Sequence, residues 1–152
     1  MIWLISSIFG LIGGIINLTF GLIWILLTVI ARWMVFQKAG EAGWKSIIPF
    51  YRDYTAYKIG WTTSMFWVWL VFTVIGNMAE NAANGNAWSM YGIIGTICGL
   101  ATVVIALGYS LNMARSFGKG TAFAIGLWLL EPVFMMILGF GSAQYQRVRI
   151  RF

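Results

Sequence analysis

The first 31 residues of this chain contain no charged side chain, and this run limits the possible folds more than any other feature. A straight helix of that length would extend about 46 Å, whereas the hydrocarbon core of a bilayer is about 30 Å thick. We therefore expect either a break near its start or an end that leaves the core. Small residues that favour a break are Ser6, Ser7, Gly10, Gly13 and Gly14. The predicted membrane span covers residues 14–33, preceded by an interfacial extension.

Charge is scarce in the whole chain: 9% of its 152 residues are charged, against about 25% in soluble domains. Long uncharged runs alternate with short charged segments, which is typical of a polytopic helical membrane protein. The sequence therefore predicts an all-α fold with about four transmembrane helices in one domain, residues 1–152. The predicted spans are 14–33, 62–78, 91–113 and 122–138, with a basic interfacial loop at 34–61 and a basic tail at 139–152.

The distribution of basic residues predicts the orientation. Seven of them lie at the end of the first span or in the loops after the first and third spans: Arg32, Lys38, Lys45, Arg52, Lys58, Arg115 and Lys119. Because cytoplasmic loops are enriched in Lys and Arg, we expect loop 34–61 inside and the N-terminus outside. The polar segment 79–90 has no Lys or Arg, as expected of an outer loop.

The tail conflicts with this rule, because Arg147, Arg149 and Arg151 would then lie outside. Two interpretations compete. The fourth segment is re-entrant, with Glu131 and Pro132 at its turn, or the tail is outside and binds headgroups or a partner. We favour the outside tail, because early segments usually set the orientation and a 17-residue apolar run can just span a bilayer.

Aromatic and basic side chains alternate through loop 34–61. Pro49 should end any helix begun near Gly43. This composition favours a segment lying in the headgroup layer, which contacts anionic lipids or, alternatively, a partner protein. The candidate contact residues are Trp44, Lys45, Tyr51, Arg52, Tyr54, Lys58, Arg147, Arg149 and Arg151.

The third span carries the clearest periodic pattern. Small residues recur at intervals of three and four, so they share one face of a helix. They are Gly92, Gly95, Gly99, Thr102, Ala106 and Ser110. Small side chains let helices approach closely in membranes. We interpret this face as a packing seam inside the bundle, with an oligomer contact as the alternative.

Little in the sequence suggests chemistry. Glu131 is the only acidic residue inside a predicted span, and an intramembrane carboxylate suggests a functional site. With Asn17 and Asn77, which also fall in the outer half, it forms a candidate polar pocket. The chain has no histidine and one cysteine, Cys98, so we expect no metal site, no cofactor and no enzymatic activity. A Ser–Lys hydrolase is disfavoured because all four lysines are predicted to be inside.

Three ordered motifs carry a resemblance to known proteins. They are residues 38–51 (KAGEAGWKSIIPFY), 114–120 (ARSFGKG) and 137–141 (ILGFG) followed by Tyr145. They resemble a family of small uncharacterised bacterial integral membrane proteins, some labelled as related to signal peptidases. The resemblance covers about residues 33–145 and implies a four-helix protein of the bacterial inner membrane, without assigning an activity. Arg52 and Asp53 stand where the family usually has an amide-containing pair.

The expected function is a non-enzymatic accessory or scaffold subunit of a larger bacterial inner-membrane complex. The absence of a catalytic arrangement, the small-residue seam and the extra apolar length of the first segment favour it. The alternative is a small oligomeric transporter or channel that uses Glu131. The expected partners are membrane lipids and other membrane subunits or a second copy, and we expect no nucleic acid.

Overall fold

The computed structural model describes the backbone of residues 2–146. It also describes the surroundings of Gly10 and the side chains of residues 13–146. Its regular elements are all helical, which confirms the predicted class. They are α1 (Ile2–Lys38), a 3₁₀ turn (Gly43–Ser46), α2 (Pro49–Gly60), α3 (Thr63–Ala83), α4 (Met90–Ser116), α5 (Thr121–Leu129) and α6 (Glu131–Phe140). In this part of the chain, two segments are long and apolar enough to cross a membrane, Gly13–Lys38 and Met90–Ser116, and they contain the first and third predicted spans.

Helix α1 is continuous, so the predicted break near Gly10 to Gly14 is wrong. A glycine in a helix is unfavourable by only about 1 kcal/mol relative to alanine. A break in an apolar segment would leave several backbone groups without hydrogen bonds, which is more unfavourable. Two side chains inside α1 also bond to its own backbone, Thr19 to the carbonyl of Ile15 and Thr28 to that of Trp24, both at 2.8 Å.

Helices α3 and α4 form an antiparallel hairpin with the most extensive contact between any two elements of the described chain. Helix α3 continues to Ala83, beyond the predicted end at residue 78, so the predicted outer loop shortens to residues 84–89. Asn84 and Gly85 adopt positive φ angles, 48° and 79°, which turn the chain. Ser89 then caps α4, because its hydroxyl oxygen accepts a hydrogen bond from the Gly92 amide at 3.0 Å.

The predicted fourth span is not one helix. It is divided at Leu130, whose φ and ψ angles of −130° and 53° are not helical. Pro132 explains the division, because it has no amide hydrogen and its ring collides with the preceding helical turn. Helices α5 and α6 fold back on each other, with the rings of Phe123 and Phe134 4.8 Å apart.

The chain therefore returns to the end of the bundle from which α5 started. The Gln146 amide donates to the Ser116 carbonyl at 2.6 Å, and the Lys38 ammonium donates to the Gly141 carbonyl at 2.6 Å. We call this end, where α1 and α4 finish and α6 ends, the core end. The geometry matches the hairpin alternative rather than the single crossing that we favoured. The arginines of the tail lie outside the described residues.

The hydrophobic core lies at the core end. Its fully buried large side chains are Val35, Phe36, Phe66, Met113, Leu127, Met135 and Leu138. Helix α1 enters this core only with its last part, against α6, α2 and the 3₁₀ turn. Lys38 lies beside Gly141 and Arg32 beside Glu131, so α1 and α6 run alongside each other and the earlier residues of α1 extend beyond the tip of the α5–α6 hairpin.

Candidate functional site

The first candidate site is the tip of the α5–α6 hairpin, where Glu131 opens α6. A guanidinium nitrogen of Arg32 lies 2.8 Å from its carboxylate, and the two side chains are 13% and 43% exposed. Glu131 also lies at a helix N-terminus, where the helix dipole favours negative charge. The carboxylate is therefore held by one cation and one helix end, and it ties α6 to α1.

Polar groups from other helices surround this ion pair. The Tyr109 hydroxyl is buried and has no hydrogen-bond partner among the described residues. Its ring lies 4.8 Å from that of Tyr57. Burial, and then the nearby carboxylates of Asp53 and Glu131, raise the pKa of Tyr57 well above its usual value. The arrangement resembles a structural polar cluster, because the Tyr57 phenol keeps its proton and the acid is paired.

The predicted polar pocket of Glu131, Asn17 and Asn77 does not form. Glu131 bonds to Arg32. Asn17 is exposed on α1, beside a shallow cleft of about 290 Å³. Asn77 lines a different cavity between α3 and α4 and donates to the Thr73 carbonyl at 2.7 Å. All three residues fall at similar positions within their predicted spans, but they lie on separate helices with different neighbours.

The three described basic residues that were predicted to contact headgroups are engaged in ion pairs within the protein: Lys45, Arg52 and Lys58. The carboxylate of Glu41 accepts from both Lys45 and Lys58 at 2.7 Å. Hydrogen bonds from these two lysines lower the pKa of Glu41. Arg52 pairs with its neighbour Asp53 at 2.8 Å, which raises the pKa of the guanidinium. These ion pairs leave less positive charge for anionic lipids than the sequence suggests.

The aromatic residues of the same loop divide into two groups. Trp44 and Tyr51 are about half exposed, with ring centroids 5.9 Å apart, next to exposed Phe50. Tyr54, in contrast, packs edge-on against the buried ring of Phe66 at 5.5 Å. Only the first group presents an apolar surface. The tail residues Arg147, Arg149 and Arg151 lie outside the described part of the chain.

The face of α4 with small residues contacts several parts of the molecule. Gly95 lies against Glu80 and the backbone of Gly76 on α3, and Gly92 lies against the loop at Asn86 and Ala87. Gly99 and Thr102 line a cavity instead of a tight contact. Ser110 is buried near the core end and bonds to the carbonyl of Ala106, a partly exposed residue, at 3.0 Å.

The sequence motifs meet at the core end, which the spacing of the motifs did not reveal. The Lys38 ammonium donates to the carbonyls of Leu138 and Gly141, both at 2.6 Å. The hydroxyl of Tyr145 donates to the Ile59 carbonyl at 3.0 Å, and its ring contacts Phe117 at 5.5 Å. Clefts of about 370 and 390 Å³ open on either side of Tyr145. The motifs therefore fasten the ends of α1, α4 and α6 together.

Among the described residues, no three His, Cys, Asp or Glu side chains come together as a metal site.

Comparison with curated proteins and with solved structures finds no match. Residues 44–148 match one family, described as a family of unknown function, DUF5684. The matched region contains α2 to α6 and excludes α1. The chain belongs to this family, DUF5684, which agrees with the expected membership of an uncharacterised family.

Proposed function

We propose that this protein is a membrane-embedded accessory or scaffold subunit that binds another membrane protein through α1. Membrane insertion is supported by the two long apolar segments. In an 18-residue apolar stretch of each, only 6% and 17% is buried, for Gly13–Lys38 and Met90–Ser116 respectively. Helices from the core of a soluble protein would be mostly buried. An apolar surface of this extent requires lipid or protein around it, because monomers in water rarely expose such large apolar patches.

The observation that carries the proposal is the lack of internal contacts along α1. From residue 13 to residue 27, every described side chain is exposed except Gly21, which is intermediate. Buried contacts begin only at Ala31, Val35 and Phe36. Helix α1 also precedes the family match, which starts at residue 44. The part of α1 before Ala31 is therefore available for a contact that the family fold does not itself need.

One face of α1 before Ala31 has the form of a helix-packing surface. Five small or polar residues lie along this face, because four of them follow Gly10 at intervals of four, seven, eleven and eighteen residues. They are Gly10, Gly14, Asn17, Gly21 and Thr28. A Cβ atom added at any of the three glycines would meet no atom within 4 Å. The same face continues into Ala31 and Val35, which pack into the core. We infer that a transmembrane helix of another subunit continues this packing beyond the hairpin tip.

The proposed location is the bacterial inner membrane, with the core end in the cytoplasm. Arg115 and Lys119 are exposed at this end, and loop 34–61 begins there. Gln146 also lies there, so a tail that continues from it no longer conflicts with the positive-inside rule. In this topology α5 and α6 form a re-entrant hairpin. The backbone groups of Leu130 are hydrogen-bonded internally, as a membrane requires, because its amide donates to the Gly126 carbonyl at 2.8 Å and its carbonyl accepts from the Phe134 amide at 3.1 Å.

The experiment is site-specific photo-crosslinking in cells. A photoreactive residue at Asn17, on the small-residue face, should form an adduct with one membrane protein, and one at Thr19, on the opposite face, should not. Gly14→Leu together with Gly21→Leu should abolish the Asn17 adduct, because leucine prevents close approach but fits the free fold. Thr19→Leu is the matched control and should leave it unchanged.

Four results would contradict the proposal. Adducts only with lipid would show that α1 has no protein partner. An adduct with the mass of two copies would indicate self-association. Equal adducts from Asn17 and Thr19, or an Asn17 adduct that survives both leucines, would show that the small-residue face does not form the contact.

A further inference from the structure

A cavity of about 140 Å³ lies between α3 and α4, toward the hairpin loop at residues 84–89. Its polar lining comes from Thr73, Asn77 and Glu80 on α3 and from Thr102 on α4. Glycines form much of the remaining wall. Gly76 and Gly95 bring the helices close, whereas Gly99 faces open space, since a Cβ added there would meet nothing within 4 Å.

The polar groups of this cavity are rich in acceptors. The Thr102 hydroxyl donates its single proton to the Gly99 carbonyl at 2.7 Å, so its oxygen offers only lone pairs. The Asn77 amide nitrogen donates to the Thr73 carbonyl at 2.7 Å, which leaves the amide oxygen as an acceptor. Glu80 adds a carboxylate. The Asn77 amide and the Thr73 hydroxyl each keep one proton to donate, but the carboxylate and the surplus of acceptors favour a ligand that donates hydrogen bonds or carries positive charge.

The Thr73 hydroxyl is an independent indication of a ligand site in the cavity. Its oxygen is buried and has no hydrogen-bond partner among the described residues. Threonines in helices usually bond to the carbonyl of the preceding turn, as Thr19 and Thr28 do here. A buried polar group without a partner is unfavourable, so a ligand that bonds to this hydroxyl is favoured in the cavity.

The charge of the site is negative. Its lining residues include no Lys or Arg. Glu80 takes part in none of the ion pairs of the described residues, unlike Glu41, Asp53 and Glu131. Oxygen ligands with a single carboxylate suit a hard cation of low charge, because a divalent ion usually recruits more carboxylates.

We propose that the α3–α4 cavity binds a small monovalent cation, an alkali-metal ion or a primary ammonium group, through oxygens of Thr73, Asn77, Glu80 and Thr102. Glu80 supplies the charge, and the three neutral oxygens replace water around the cation. Gly99 supplies the space. The site is separate from α1, so this inference does not rest on the proposed partner contact.

The experiment is a thermal-unfolding series on the purified full chain in detergent. Chloride salts of lithium, sodium, potassium and methylammonium are compared at constant ionic strength with N-methylglucamine chloride, whose cation is too large for the cavity. One of the small cations should raise Tm by a few degrees with a saturable dose dependence. The alkali-metal and methylammonium arms separate a metal ion from an ammonium group.

Three variants test the assignment. Gly99→Leu fills the cavity and should abolish the rise in Tm. Thr73→Val removes one hydroxyl at nearly constant volume and should weaken the dose dependence at least tenfold, as should Glu80→Gln. Val104→Leu adds bulk at a position that is 67% exposed, and it should respond like the unaltered protein.

Two results would overturn the proposal. The same Tm in every chloride salt would show that the cavity holds water only. A cation response that persists in both Gly99→Leu and Thr73→Val would place the binding elsewhere. If Gly99→Leu does not fold, the nearly isosteric Thr73→Val and Glu80→Gln variants still decide between these outcomes.

Discussion

The contact between Arg32 and Glu131 joins two segments that are 99 residues apart. We predict that Arg32→Met lowers the free energy of unfolding by about 1–3 kcal/mol, because it leaves the Glu131 carboxylate without its cation. Removal of one partner from a fully buried pair is unfavourable by about 3–5 kcal/mol, and the partial exposure of Glu131 reduces that figure. Unfolding in detergent, followed by tryptophan fluorescence, measures it.

The control for this prediction is the double variant Arg32→Met with Glu131→Leu. Replacing both charges by apolar groups should recover much of the lost stability, because no unpaired charge remains. An Arg32→Met protein as stable as the unaltered chain would contradict the structural role of the pair. A double variant less stable than both single variants would contradict the electrostatic explanation.

The ion pairs of Glu41 predict that the free energy of unfolding depends on pH in the acidic range. Hydrogen bonds from Lys45 and Lys58 lower its pKa in the folded protein. A lowered pKa stabilises the fold above the usual pKa of about 4.3, and this contribution is lost as pH falls through the lower folded value. We therefore expect the free energy of unfolding to decrease below about pH 4.3.

A pH series of unfolding measurements tests this dependence, with Glu41→Gln as the comparison. The glutamine variant should be less stable at pH 7 and should lose less stability on acidification. Parallel curves for the two proteins would show that Glu41 does not cause the acid response. The prediction concerns the 3₁₀ turn and α2, since the lysines join α2 and the turn through Glu41.

At the residue scale, the sequence identified Glu131 as unusual but not its partner. Arg32 was assigned to the basic loop, because charge at the end of an apolar run indicates a boundary. The structure places it inside α1, with its side chain 13% exposed. The predicted pocket with Asn17 and Asn77 failed because position along a span gives depth only. The direction of a side chain around the helix axis depends on which helices are neighbours.

At the scale of elements, the ILGFG motif is explained by the crossing of α1 and α6. A Cβ atom added at Gly139 would lie 2.6 Å from the carbonyl oxygen of Ala31, a backbone atom that cannot move aside without shifting α1. We predict that Gly139→Ala lowers the free energy of unfolding by about 1–3 kcal/mol through overpacking. The measurement is the same unfolding assay in detergent.

Gly21→Ala is the matched control for this prediction. It is also a glycine within a helix, but an added Cβ there would meet no atom within 4 Å. Alanine should therefore be neutral or stabilise the helix by up to about 1 kcal/mol. Equal effects of the two substitutions would show that α1 and α6 do not approach as closely as described.

Element boundaries were predictable where a local signal was strong. The helical turn begun at Gly43 ends at Ser46, before Pro49 as expected, although the start of α2 at Pro49 was not predicted. The polar segment after residue 78 contains the turn between α3 and α4, although α3 continues five residues farther. Pro132 was recognised as a turn only in the alternative interpretation. A run of 17 apolar residues is long enough for one membrane span, and it is equally long enough for two short antiparallel helices. Contacts far apart in the sequence, such as Gln146 with Ser116, decide between them.

The whole molecule is divided into a packed core end and an extended part formed by α1 and the α3–α4 hairpin. The sequence predicted an all-α class and apolar segments, because composition and periodicity are local properties. It did not predict the division, which arises because α5 and α6 turn back at Leu130. This return leaves the earlier part of α1 without a neighbour, and it brings the three motifs together.

The division predicts a topology that cysteine labelling can test. In a Cys98→Ala background, single cysteines replace Ala87 in the α3–α4 loop, Lys119 before α5 and Ser142 after α6, all exposed positions. In intact spheroplasts, an impermeant maleimide should label only the cysteine at position 87. Those at positions 119 and 142 should react after the membrane is opened, because α5 and α6 begin and end on the same side. Labelling at 142 together with 87, but not 119, would mean that α5 and α6 cross the membrane as one span, against the hairpin. Labelling at 119 and 142 without 87 would keep the hairpin and invert the orientation.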